Sequence, residues 1–296
     1  MRIGILTPDS KKPNLAAMKI SAWHKANGDE VFLNFPLKKP NFTYASILFS
    51  KTEDPHADMI GGPKYPHIKL DPEIDGMRPD YSLYPSMDYS LGYTYKACPR
   101  TCEFCVVPRQ HNDEAHYSIW RFHEVRFKKI SLLNNNTLAG LYWRETFHEI
   151  WEAGLTIVDQ GGFDLRLVTE ESAAYIAKTK FAGKIHGAWD LMEHEADVLK
   201  GIGYLLDAGI SPHKLRIYTL TGFNTSEAED MHRIRTLVGM KIMPFPMPYK
   251  SRNKKFERVC TMPAILRGLN LSGDTYESVC RQIKRGKAKA VMEGFI

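Results

Sequence analysis

Cys98, Cys102 and Cys105 stand within the eight residues CPRTCEFC, at spacings of four and three. Thiolates are the standard protein ligands of iron–sulfur clusters, so three on one short segment can hold three corners of a cubane cluster. A trio leaves one iron without a protein ligand, and catalytic metal sites keep such a position open for a substrate. The other chemistry this segment allows is a zinc knuckle, with His111 or His116 as the fourth ligand. The chain has five cysteines, an odd number with three clustered, which is a poor disulfide framework and points to metal or redox chemistry. Cys260 and Cys280 lie twenty residues apart, too few for an auxiliary cluster, and read as ordinary thiols.

Repeated strand-then-helix units must position this segment. Leu91 to Tyr95 reads as a strand ending at the cysteines. Further strands are expected at Lys129 to Leu133, Thr156 to Asp159, Lys184 to Trp189, Lys214 to Leu220 and Lys241 to Phe245, the last closing before Pro246 and Pro248. Helices are expected through Trp143 to Ala153, Thr169 to Lys178, Glu193 to Ala208 and Glu227 to Val238, from apolar residues at helical spacing. Polar residues or glycine stand at most strand ends, where parallel α/β folds place their active groups. The fold class expected is α/β: a partial (β/α)6 barrel over residues 91–250 behind a small N-terminal α/β segment at 1–65. That segment has strands at Arg2 to Thr7, Glu30 to Asn34 and Tyr44 to Ser50, and a helix at Leu15 to Asn27 stopped by Gly28. Residues 66–90, rich in Pro and Tyr, read as a connector, and 251–296 as a basic extension.

The Cys-x3-Cys-x2-Cys pattern, with aromatic Phe104 before its last thiol and a strand ahead of it, resembles the radical S-adenosylmethionine superfamily. The continuation Val106-Val107-Pro108-Arg109 resembles the branch with cobalamin-binding and methylthiotransferase-like members. Gln160-Gly161-Gly162-Phe163-Asp164-Leu165-Arg166, Gly187-Ala188-Trp189-Asp190 and Tyr218-Thr219-Leu220-Thr221-Gly222-Phe223 are similar to segments of such enzymes too, so the likeness runs over about residues 85 to 250. The resemblance implies a [4Fe–4S] cluster on Cys98, Cys102 and Cys105, with S-adenosylmethionine chelating the open iron. An electron from the cluster would cleave the sulfonium to a 5′-deoxyadenosyl radical that takes hydrogen from a substrate. It also implies an electron donor such as flavodoxin or ferredoxin. Phe104 would lie against the adenine. Asn134 and Asn136 replace the family's Gly-Gly-Glu-like segment; their carbonyl oxygens can accept from the methionine ammonium, or the residues form a turn and cap. Arg166 would grip the methionine carboxylate beside Asp164, or the two make a surface ion pair. Asp190 would meet the ribose or the substrate, or cap the next helix. Gly222 would let the backbone approach the adenine, or serve a turn.

The N-terminal segment, with its Gly61-Gly62-Pro63 turn, resembles a shortened cobalamin-binding flavodoxin-like domain. It lacks the Asp-x-His-x-x-Gly signature, and His24 falls in the helical run, so no cobalamin is expected.

Composition narrows the class further. Of 296 residues, 43% are hydrophobic and 25% charged, which excludes collagen-like and wholly disordered chains. No apolar run is long enough to span a membrane, and the N-terminus enters a strand without a secretory segment, so a cytoplasmic protein is expected. Forty Lys and Arg against 34 Asp and Glu leave a net charge of +6, with clusters at Lys250 to Arg258 and after Cys280. Those clusters are a solvated surface or a contact for an anionic substrate, a nucleotide or nucleic acid ahead of a peptide. The competing function is a zinc-binding, non-enzymatic nucleic-acid module.

Overall fold

The computed structural model describes residues 1–34, 39–109, 114–249 and positions 275, 277, 278 and 281. By contacts the chain divides into two compact units, Met1–Asn135 with His148–Asp159, and Asn136–Phe147 with Gln160–Ile296. The protein is mixed α/β with parallel sheets.

The chain begins with β1 (Arg2–Leu6), α1 (Leu15–Ala26), β2 (Glu30–Leu33), β3 (Phe42–Ser46) and β4 (Met59–Gly61). They form a sheet in the order β2-β1-β3-β4, with parallel pairing throughout. Asn14 caps α1 by accepting from the Ala17 amide at 3.0 Å, and Gly28 past its end takes φ +79°, as a helix stop requires. Ile5, Ala17, Ile20 and Ile74 join the sheet and α1 in one apolar cluster. β3 stops at Ser46, short of the expected Ser50. The Asp9 carboxylate takes the Leu48 and Phe49 amides at 2.9 and 2.8 Å, groups that a longer strand would give to a ladder.

The connector is more ordered than its composition suggests. It carries α2 (Pro72–Gly76), capped by Asp71 with Pro72 in its first turn, and a 3-10 turn at Tyr81–Leu83. Both are tied to α1: Lys19 to Asp75 at 2.6 Å, Ser21 to Asp80 at 2.6 Å and Lys25 to Asp80 at 2.7 Å.

Next come β5 (Ser90–Gly92), β6 (Lys129–Leu132), α3 (Trp143–Glu152) and β7 (Thr156–Gln160). The three strands form a sheet in chain order, with β5 and β6 parallel. β5 ends at Gly92, not at Tyr95, because a side chain takes the Thr94 and Tyr95 amides.

The remaining elements are β8 (Phe163–Asp164), α4 (Glu170–Lys178), β9 (Ile185–Ala188), α5 (Glu195–Asp207), β10 (Leu215–Thr221), α6 (Glu227–Gly239) and β11 (Met243–Pro248). Their sheet is ordered β11-β10-β9-β8 and all its pairings are parallel. β8 is unanticipated by the sequence pattern: Gly162 at φ +100° turns the chain out of β7 and starts a second sheet. β11 continues through Pro244, Pro246 and Pro248, where a stop was expected. Among the described strands it lies at the sheet edge, and prolines at alternate positions remove donors from one side of it only, the side away from β10. α4 and α6 begin in capping boxes, Thr169 with Ser172 and Ser226 with Glu229. Helix α5 starts at Glu195, after a 3-10 turn at Met192–His194, rather than at Glu193. Gly201 lets α5 close onto the turn after β8, since a Cβ there would fall 2.0 Å from the Leu165 carbonyl oxygen. Among the described residues, no helix is long and apolar enough to cross a membrane.

Candidate functional site

The three thiols lie on the loop that leaves the carboxyl end of β5. Its base is held by neutral polar groups. Buried Asn134, just past β6, accepts from the Thr94 and Tyr95 amides at 2.8 and 3.2 Å and donates to the Thr94 hydroxyl at 2.8 Å. Asn135 donates to the Lys96 carbonyl at 2.5 Å. Tyr95 bridges His116 in antiparallel fashion, and the Tyr117 amide donates to the Thr94 carbonyl at 2.8 Å, so the excursion closes where it began. Between these ties Cys98, Cys102, Phe104 and Cys105 are half-buried. The Cys105 amide donates to the Cys102 carbonyl at 3.0 Å, folding the last two thiols into one turn. The Val107 amide donates to Cys105 Sγ at 3.4 Å.

By chemistry, three thiols on one loop are the donor set of an iron–sulfur cluster with one open iron. Among the described residues, however, no three His, Cys, Asp or Glu side chains are gathered closely enough to hold a metal ion, so Cys98, Cys102 and Cys105 share a loop without being drawn together as a ligand set. His116 pairs with Tyr95 through its backbone, while His111 lies outside the described residues.

Asn134 is therefore a brace as the structure stands, its carbonyl oxygen accepting two amides. Asn136 is buried as well and precedes the 3-10 turn Thr137–Ala139 without capping it through its side chain. Asn135, which the sequence ranked behind Asn134 and Asn136, also holds the loop.

The strand ends of the second unit are built differently. Asp164 and Arg166 do meet, but through a local turn rather than an extended segment. Asp164 accepts from the Arg166 amide at 3.2 Å, then pairs with the guanidinium in bidentate fashion, at 2.7 Å to Nε and 2.9 Å to Nη2. Their side chains are 10% and 18% exposed, so this is no surface pair. Asp190 does not cap the following helical turn, whose cap position is Leu191. Its Oδ1 instead accepts the Leu220 amide at 3.2 Å, and burial pushes its carboxyl up to about 6, with the Leu220 hydrogen bond and Arg233 opposing. Gly222 has φ +69° and donates its amide to Asp230 Oδ2 at 2.9 Å. The turn alone thus explains the glycine, while the space a Cβ would enter is open to 4 Å.

Behind these ends lies an ion pair not visible from the sequence. Arg233 and Asp230 in α6 are both fully buried and in contact. Arg233 also donates to the carbonyls of Trp189, Asp190 and Leu220 at 2.8, 2.6 and 2.7 Å, and Asp230 accepts from the Thr225 hydroxyl at 2.5 Å. One guanidinium thereby binds the two carbonyls just past β9 and one near the end of β10. The i to i+3 spacing was its only trace in the sequence.

Tyr218 and His186 contact each other, with ring centroids 5.2 Å apart. Cys260, Cys280 and the basic clusters at Lys250 to Arg258 and after Cys280 fall outside the described residues. The molecule is thus an α/β protein of parallel sheets with a thiol loop at one strand end. No protein-family model matches the chain, and no curated protein matches it in sequence.

Proposed function

We propose that this chain is a radical S-adenosylmethionine enzyme in which Cys98, Cys102 and Cys105 hold a [4Fe–4S] cluster. One observation carries the reading: the thiol trio occupies the loop at the carboxyl end of β5, in a parallel sheet, where α/β proteins build their sites. When bound, the cluster would supply the electron that cleaves S-adenosylmethionine to a hydrogen-abstracting 5′-deoxyadenosyl radical. The chain's own residues do the holding. Asn134, Asn135 and the Tyr95–His116 bridge fix the loop base, the Val107 amide donates to the Cys105 sulfur, and Phe104 contributes an aromatic face beside the last thiol. The roles of Asn136, Asp164, Arg166, Asp190 and Gly222 toward the cofactor belong to the same reading. So does the partial (β/α)6 barrel, which the parallel pairings and the helices after β6, β9 and β10 support.

Anaerobic reconstitution tests it. Iron and sulfide should bind with brown charge-transfer absorption. Reduction by dithionite, flavodoxin or ferredoxin should then yield 5′-deoxyadenosine from S-adenosylmethionine. Stoichiometric zinc without iron would instead make the chain a zinc-binding module, and bound iron without 5′-deoxyadenosine would refute the enzyme.

A further inference from the structure

The first unit contains a cavity of about 530 Å³ between α1, α2, the end of β5 and the turn at Ile119–Arg121. Its lining holds Lys19, Lys69, Lys96 and Arg121 against a single carboxylate, Asp75. Asp75 bonds Lys19 at 2.6 Å and Lys96 at 3.0 Å, so one negative charge serves two ammonium groups. Arg121 sits 4.5 Å over the Tyr117 ring, which Lys96 also approaches at 5.7 Å, and no carboxylate among the described residues pairs with it. Lys19, Lys96 and Arg121 around one acid in a concave site make a focused positive field. The field is felt locally: burial pushes the Lys19 ammonium down, Asp75 opposes, and the charges of Lys96 and Arg121 push it further down. A structural ion pair would need no such excess.

We propose that this cavity binds a small ligand that joins a phosphoryl group to a planar ring, a nucleotide in size and chemistry. The excess of positive charge from Lys19, Lys96 and Arg121 over Asp75 suits a dianion better than a single carboxylate. Lysine and arginine together offer N–H donors for tetrahedral oxygens, and the donors of Lys19 and Lys96 outnumber what Asp75 accepts. The ring has its counterpart in Tyr93, Tyr117 and Phe122, beside apolar Ile68, Leu70 and Met77. The volume lies in the range of small-molecule sites. The inference does not rest on the cluster reading, although Lys96 stands two residues before Cys98 and both leave the same strand end.

Calorimetric titration of the full chain, free of iron, with AMP, UMP, adenosine and inorganic phosphate tests the proposal. AMP or UMP should saturate one site, with adenosine and phosphate each at least roughly tenfold weaker, since each lacks half of the ligand. Arg121→Gln and Lys96→Gln should each weaken nucleotide binding roughly tenfold, the loss of one charge-assisted contact. Asp75→Asn should tighten it. Arg121 is exposed, so its variant should keep the parent melting temperature and remain informative if Lys96→Gln folds poorly. S-adenosylmethionine should not displace the nucleotide, which separates this site from the cofactor's. Absence of saturable binding by either nucleotide at millimolar concentration overturns the proposal. So does equal binding by phosphate alone or adenosine alone, displacement by S-adenosylmethionine, or indifference to Arg121→Gln.

Discussion

The carboxyl ends of β5 and β6 are joined by neutral amides, whereas those of β9 and β10 are joined by a buried charge. Asn134 and Asn135 hold the base of the thiol loop, and the thiols themselves stay half-buried. Arg233, wholly buried, binds three carbonyls and Asp230 at once. The difference is one of charge. Amide ties fix where the loop leaves the sheet without burying an ion. A buried guanidinium holds every group it touches, because leaving one charge of such a set unpaired is costly.

The comparison can be broken at its ends, beginning with the largest effect. Replacing Cys98, Cys102 or Cys105 with Ala should bring reductive cleavage of S-adenosylmethionine to background, with iron content falling too, while thermal unfolding stays near that of the parent apo-protein. A large loss of apo-protein stability would place the thiols in the scaffold instead. Arg233→Met should do the opposite, lowering stability by about 3–5 kcal/mol through the uncompensated Asp230 carboxylate. Urea unfolding measures it, and a loss below about 1 kcal/mol would show that the clamp is dispensable.

The two regions should also titrate in opposite senses. In the first unit burial opposes, yet Lys19 and Lys96 hold the Asp75 carboxyl below the usual range, and Lys25, Ser21 and Ser82 do the same for Asp80. Their contribution is present above that range and is lost as pH falls. Asp190, pushed up to about 6, has the reverse sign: the folded state holds its proton longer than the unfolded chain does. Its contribution is complete below about pH 4 and is lost as pH rises through about 6. Asp190→Asn should therefore gain about 2 kcal/mol relative to the parent between pH 4.5 and pH 7 in paired urea melts. A pH-independent difference would mean that the carboxyl is not strained by burial.

Smaller effects sharpen the contrast. Asn134→Ala should cost about 1–3 kcal/mol by leaving the Thr94 and Tyr95 amides unpaired, and should raise hydrogen exchange at the loop base more than in the second sheet. Gly222→Ala should cost about 1 kcal/mol for the left-handed backbone alone, since no atom obstructs the new methyl. A much larger penalty in S-adenosylmethionine binding than in stability would show that the open space there is a ligand's.

Local signals were legible in the sequence because they act within a few residues. The order of most strands and helices, the stop at Gly28 and the thiol spacing all depend on neighbours at i+1 to i+4 or on a two-residue alternation. The same holds for the clustering of Cys98, Cys102 and Cys105, the one feature that names a chemistry. Pairing partners and burial depend instead on residues far apart, and only the tertiary structure decided those. Pro244 to Pro248 run as a strand because no neighbour needs their missing donors, and β8 exists because Gly162 turns the chain toward β9. Asp190, Asp230 and Arg233 look like ordinary helix-end and surface charges until the fold takes water from them. Lys19, Asp75, Lys96 and Arg121 are scattered over a hundred residues of chain and become one charged cavity only when α1, α2 and the end of β5 assemble around it.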